Sequence, residues 1–131
     1  VNIILNSANI SVGVPGRSTV AIGNINGKSD ISITACDLNV MCRSMRCMGI
    51  GTQGGRANIN IADSVIYSNI DGRDAMFIGS LDKETKPVIT NTTVTSMIKT
   101  AIMTNPPEDV RSVYFLNGTY TFDGDGVATP S

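Results

Sequence analysis

Residues Ile31 to Gly51 read ISITACDLNVMCRSMRCMGIG, and the chain on either side repeats this pattern. Stepping back 28 residues gives Ile3 to Gly23, IILNSANISVGVPGRSTVAIG, and stepping forward 28 gives Ile59 to Gly79, INIADSVIYSNIDGRDAMFIG. Neither alignment needs a gap. The apolar columns recur: Leu5, Ile33 and Ile61; Ile10, Leu38 and Ile66; Val14, Cys42 and Ile70; Ile22, Ile50 and Ile78. A glycine closes each copy, at Gly23, Gly51 and Gly79. A fixed period of this size is the signature of a solenoid, in which each repeat buries its apolar face on its neighbours.

The residues inside a copy read as strands. A short Ile-x-Ile element comes first, then a longer alternation such as Leu38, Val40, Cys42, then a polar corner, then an apolar element ending in Ile-Gly. Period-two alternation rich in β-branched residues fits strands, and no window carries a 3.6-residue period. The corners are Pro15–Ser18, Arg43–Arg46 and Asp71–Asp74. Polar connections follow at 24–30, 52–58 and 80–86.

The expected fold is therefore all-β, a single parallel β-helix of about four and a half 28-residue turns, with three short strands per turn. The repeats are 3–30, 31–58, 59–86 and 87–112, with a partial copy at 113–126. In the fourth, Ile102 is aligned with the Ile22 column across a shortened corner. In the partial copy, Phe115, Tyr120 and Phe122 take the columns of Leu5, Ile10 and Val12. A right-handed coil is expected, because crossovers between parallel strands almost always have that hand. The chain begins at Val1 and reads as a mature segment or one excised from a longer protein.

Composition removes several functions. The formal net charge of -1 offers no basic footprint for nucleic acid, and no apolar run is long enough to span a bilayer. Histidine is absent, which rules out His-based triads and most zinc sites. The three cysteines, Cys36, Cys42 and Cys47, are too few for a disulfide framework and leave at least one thiol unpaired. Their columns hold Ala8 and Ser64, Val14 and Ile70, and Thr19 and Ala75, so they read as small packed side chains rather than soft metal ligands. No metal or cofactor is expected, and Asp123-Gly-Asp-Gly126 reads as a terminal turn rather than a calcium loop.

The run Met48-Gly-Ile-Gly-Thr-Gln-Gly-Gly-Arg-Ala-Asn-Ile-Asn-Ile61 resembles the A-G-I-G-x-x-G-G-x-x-x-I-x-I repeat of secreted and cell-surface bacterial proteins. Those are parallel β-helices of adhesin-like or carbohydrate-binding type. The resemblance implies an extracellular or cell-surface setting and transfers no site residues.

Three outward strand positions suggest what such a module does. The first column reads Asn9, Asp37, Val65, Thr93, Thr119, and the middle one reads Ser11, Asn39, Tyr67, Thr95, Thr121. The third reads Gly13, Met41, Asn69, Met97, Asp123. Amides, hydroxyls and one aromatic ring, spaced about 4.8 Å apart, suit an extended polymer such as a polysaccharide. The expected binding strip is Asn39, Tyr67 and Thr95, flanked by Asp37 and Asn69. A non-catalytic binding or adhesion module follows. The alternatives are a structural spacer and a β-helix polysaccharide lyase or hydrolase, for which Asp37, Asp63, Asp71, Asp74 and Asp123 supply the carboxylates. The aromatic C-terminal copy reads as a lid. The N-terminal end has none, so it is the expected point of contact with a neighbouring domain or another copy.

Overall fold

The computed structural model describes residues 2–80, 87–102, 118–126 and 128–130. Every regular element among them is a strand: β1 (Asn2–Asn6), β2 (Asn9–Asn24), β3 (Ser29–Thr34), β4 (Asp37–Thr52), β5 (Ala57–Ala62), β6 (Val65–Ser80), β7 (Val88–Thr90), β8 (Thr92–Ile102), β9 (Gly118–Phe122) and β10 (Ala128–Pro130). The short strands form one sheet in the order β1-β3-β5-β7, and the long ones form a second, β10-β9-β8-β6-β4-β2. All pairs from β1 to β8 are parallel. The result is a parallel β-solenoid of about three turns.

The register is the one the period implies. Leu5 faces Ile33, Ile33 faces Ile61 and Ile61 faces Ile89, each 28 residues on. On the second sheet Ile10, Leu38, Ile66 and Val94 form one ladder, and Val14, Cys42, Ile70 and Ile98 another. The inward members of the central turns are fully buried, Ile33 and Leu38 among them. Stacked aliphatic columns thus make the core, with Phe77 the one large ring inside the central layers.

A turn holds two strands rather than the expected three. The second and third elements and the corner between them form one strand of 16 residues in β2, β4 and β6. The polar corners do not break the ladder: Gly16 pairs with Ser44, Ser18 with Arg46, Arg43 with Asp71, and Arg46 with Asp74. The chain still turns there. Cys42 and Cys47 lie only 6.0 Å apart between Cα atoms, where a straight strand would separate them by roughly 16 Å. Polar residues at the corner mark a bend in a strand, not its end.

The sharp corner lies elsewhere, between each short strand and the long one after it. Ser7, Ala35, Asp63 and Asn91 occupy it, all left-handed, at φ 54, 54, 53 and 47°. Asn and Asp tolerate this region, but Ser7 and Ala35 show that position in the coil, not residue type, imposes it. The closing glycines have a separate cause. Gly23, Gly51 and Gly79 sit at φ 140, 142 and 134°. A Cβ on Gly23 would collide with the Gly51 carbonyl oxygen, and one on Gly51 with that of Gly79.

The C-terminal end departs from the repeat. Ile102 pairs with Asp74, so β8 keeps the 28-residue register and no corner is shortened. The partial fifth copy does not continue the coil. β9 runs antiparallel to β8, placing Tyr120 opposite Val94 and Phe122 opposite Thr92, and β10 runs antiparallel to β9. Tyr120 thus keeps the Ile10 column, whereas Phe122 moves from the expected Val12 column to that of Ala8. The two rings, two residues apart and so on one face of β9, are buried against the core. The other aromatics of the expected lid, Tyr114 and Phe115, lie outside the described residues.

Candidate functional site

The long strands carry the outward columns in register. Ser11 faces Asn39, Asn39 faces Tyr67, and Tyr67 faces Thr95. Asp37 stands beside Val65, and Asn69 lies between Met41 and Met97. Asp37, Asn39, Tyr67 and Asn69 are exposed, and Thr95 is half-buried. The five residues of the expected strip therefore share one face of one sheet. Its last rung is rearranged, because β9 is reversed: Thr119 faces Thr95, and Thr121 faces Thr93. Asp123 leaves the face altogether. Its carbonyl accepts from the Asn91 amide, and its carboxylate accepts from the Asp125 amide at 2.8 Å, forming a turn.

The strip is partly satisfied from within. The Tyr67 hydroxyl donates to the Met97 sulfur at 3.0 Å, and the Thr95 and Thr119 hydroxyls are 3.1 Å apart. Tyr67 nevertheless stays 42% exposed, and Met41 and Met97, in the next outward column on either side of Asn69, are exposed to a similar degree. This apolar and polarizable flank suits the face of a sugar ring or an aliphatic chain.

A groove of about 390 Å³ runs beside the strip, across β2, β4, β6 and β8 at the outer side of the bend. Gly13, Val14, Pro15 and Met41 line its apolar end. Arg43, Asp71 and Lys99 line the other, with Asn69 joining the groove to the strip. These three charged residues occupy one column, in which Arg43 pairs with Asp71 and Asp71 with Lys99 along the ladder. Their signs alternate, so opposite charges stand side by side. The column was hidden in the sequence because its first member is Pro15, and because corners were expected to interrupt the strands.

The bend itself is held by a buried polar cluster. Gln53 is 2% exposed although it lies in a connection. Its amide nitrogen donates to the Thr19 carbonyl at 3.0 Å and to the Arg46 carbonyl at 3.2 Å, and its amide oxygen accepts from Ser18 at 2.7 Å. Ser44 adds a bond to the Arg46 carbonyl and shares another with the Thr19 hydroxyl. A disulfide between Cys42 and Cys47 spans the same bend. Cys36 is free and buried. All three cysteines are buried, as their columns implied, but the disulfide was not foreseen. Its signal was present: two cysteines flank the four corner residues of a single repeat.

The candidate catalytic carboxylates are dispersed. Asp71 lies in the groove, whereas Asp74, across the bend, lines a smaller depression with Met45, Arg46 and Arg73. Asp74 also pairs with Arg46 at 3.6 Å. Asp63 is spent on the left-handed corner, and Asp37 stands on the outer strip. No cluster of three or more metal-ligating side chains occurs among the described residues, and no described helix is long and apolar enough to cross a membrane. No family model, no curated protein and no solved structure matches this chain.

Proposed function

We propose that the chain is a non-catalytic, extracellular binding or adhesion module that lays a polysaccharide along the outer face of its long strands, on a right-handed coil. The observation that carries this reading is the register of Asn39, Tyr67 and Thr95 in successive layers, beside an open groove. Rungs of a parallel sheet recur about every 4.8 Å, so one extended polymer can meet equivalent positions on several strands. Tyr67 supplies a stacking surface, Asn39 and Asn69 supply amide donors and acceptors, and Asp37 borders the strip. The buried disulfide agrees with an oxidising, extracellular setting. One exposed ring and a few hydrogen bonds near 1 kcal/mol each imply weak binding, with Kd of about 10 μM to 1 mM.

The test compares wild type with Tyr67→Ala against neutral and acidic polysaccharides. The reading expects a glycan whose binding drops at least about tenfold in the variant, the effect of losing one stacked ring. Equal binding by both proteins moves the site away from Tyr67.

A structural spacer is the second reading. It is favoured by the internal use of the Tyr67, Thr95 and Thr119 hydroxyls, which leaves less of the strip for a ligand. Failure of wild type to bind any polysaccharide in the panel decides for the spacer.

A further inference from the structure

The groove beside the strip carries a charge sequence of its own. Read along the coil one rung at a time, its outer column is Pro15, Arg43, Asp71, Lys99. Charge therefore runs neutral, positive, negative, positive. The two positive rungs are two layers apart, about 9.6 Å at the spacing of a sheet. Arg43 and Lys99 are exposed, and Asp71 is half-buried. Among the described residues neither cation is engaged in a hydrogen bond or an ion pair, with Asp71 or with any other side chain. Ladder neighbours of opposite sign on an open face gain little from one another, so both cations remain available to a ligand.

The neighbouring columns fix how a chain would lie. The column of Gly13, Met41, Asn69 and Met97 runs between the charged column and that of Tyr67. Adjacent outward columns are two residues apart, about 6.6 Å along the strand. A single polymer laid over the middle column thus has Tyr67 on one flank and the long side chains of Arg43 and Lys99 on the other. The first rung is open, because Gly13 has no side chain, and even a Cβ there would meet nothing nearer than the Met41 Cβ at 4.0 Å.

We propose that the groove selects an acidic polysaccharide with one carboxylate per disaccharide, in which acidic and neutral sugars alternate. The inference rests on the polysaccharide reading above and names the class of polymer. One sugar per rung sets carboxylates against Arg43 and Lys99, which donate charge-assisted hydrogen bonds to them. The neutral sugars then fall at Pro15, whose ring packs on a sugar face, and at Asp71, which accepts from sugar hydroxyls. Asp71 is also the discriminating residue. In a polymer with an acid on every sugar, the additional carboxylates meet either Asp71 or the Tyr67 flank. That flank answers with no cation, since the columns of Asn69, Tyr67 and Val65 hold no Lys or Arg in any described layer. A neutral polymer leaves Arg43 and Lys99 without a counter-charge and gains nothing from them.

The test measures binding to three polymers: one alternating glucuronate with N-acetylglucosamine, a homopolymer of galacturonate, and a neutral glucan. Wild type should bind the alternating polymer at least about tenfold more tightly than the other two, the effect of two charge contacts on an open face. Arg43→Gln/Lys99→Gln should lose that preference. Lys28→Gln/Arg56→Gln, which removes the same two charges from the connections after β2 and β4, should keep it. All four cations are exposed, so both double variants should melt with the wild type. Asp71→Asn should narrow the gap between the homopolymer and the alternating polymer. A wild type that prefers the glucan or the homopolymer overturns the proposal, as does an Arg43→Gln/Lys99→Gln variant that keeps the preference, and either result leaves the polysaccharide reading standing. Binding to none of the three overturns it too, whereas only failure across the wider polysaccharide panel removes that reading itself.

Discussion

Gly51 stands so close beneath Gly79 that a Cβ on the first would occupy the space of the second's carbonyl oxygen. The backbone of one layer is in contact with the backbone of the next, and no side chain fits between. Gly51 also holds φ 142°, which L-residues rarely adopt. Gly51→Ala should therefore cost at least about 3 kcal/mol, combining backbone strain with an overpacked core. Gly13 is the control. A Cβ there meets nothing nearer than the Met41 Cβ at 4.0 Å, so Gly13→Ala should gain about 0.5–1 kcal/mol. Urea denaturation of the two variants reads the difference directly.

Leu38 tests the column register. It is buried between Ile10 and Ile66, and Leu38→Ala should lose about 2–5 kcal/mol. A loss under about half a kcal/mol, the range of ordinary surface substitutions, would remove that column from the core.

Ser68 and Ser96 are neighbours on the ladder, fully buried, and their hydroxyls have no hydrogen-bond partner among the described residues. The same column holds Val12 and Val40 in the earlier layers. Ser68→Val should stabilise the fold by about 1–2 kcal/mol, since it removes an unsatisfied buried hydroxyl and adds apolar contact. A lower melting temperature in the variant would mean that a polar partner, such as a trapped water, meets the serine.

The Cys42–Cys47 disulfide closes a short loop, so its loss should cost only about 2 kcal/mol in the chain-entropy model. Reductant should destabilise the wild type by that amount and leave the Cys42→Ala/Cys47→Ala double variant unchanged. Equal sensitivity of both proteins to reductant would place the effect at Cys36 instead.

The parallel stack was legible in the sequence because the pattern is redundant. Ile33, Leu38 and Ile50 each have a counterpart 28 residues away on both sides, and a misread residue in one copy is corrected by the others. The outer strip followed from the same alternation, so Asn39, Tyr67 and Thr95 were found by parity alone. Features that break or bypass the period were not legible. Polar residues at Arg43–Arg46 imitate a loop, yet Arg43 and Arg46 both pair with the layers on either side. Gln53 lies in a polar connection, and nothing local marks it as the buried clasp of the bend. The reversal at β9 leaves Tyr120 in the column that a parallel strand would give it, so direction could not be read from that residue. The groove was missed for the same reason as the continuous bend.

Each parallel ladder contact joins residues 28 apart, from β1 through to β8. Every new layer therefore closes a loop of one length, at nearly one entropic cost, and is rewarded by one more set of stacked columns. Folding in such a chain has no obligatory starting point: any adjacent pair of layers can nucleate, and growth then proceeds in both directions by equal steps. It also makes the layer the unit of change. A duplication or deletion of one whole period inside the stack preserves every neighbour's register and leaves the reversed strands at the end undisturbed, whereas a slip of a single residue turns an entire column outward.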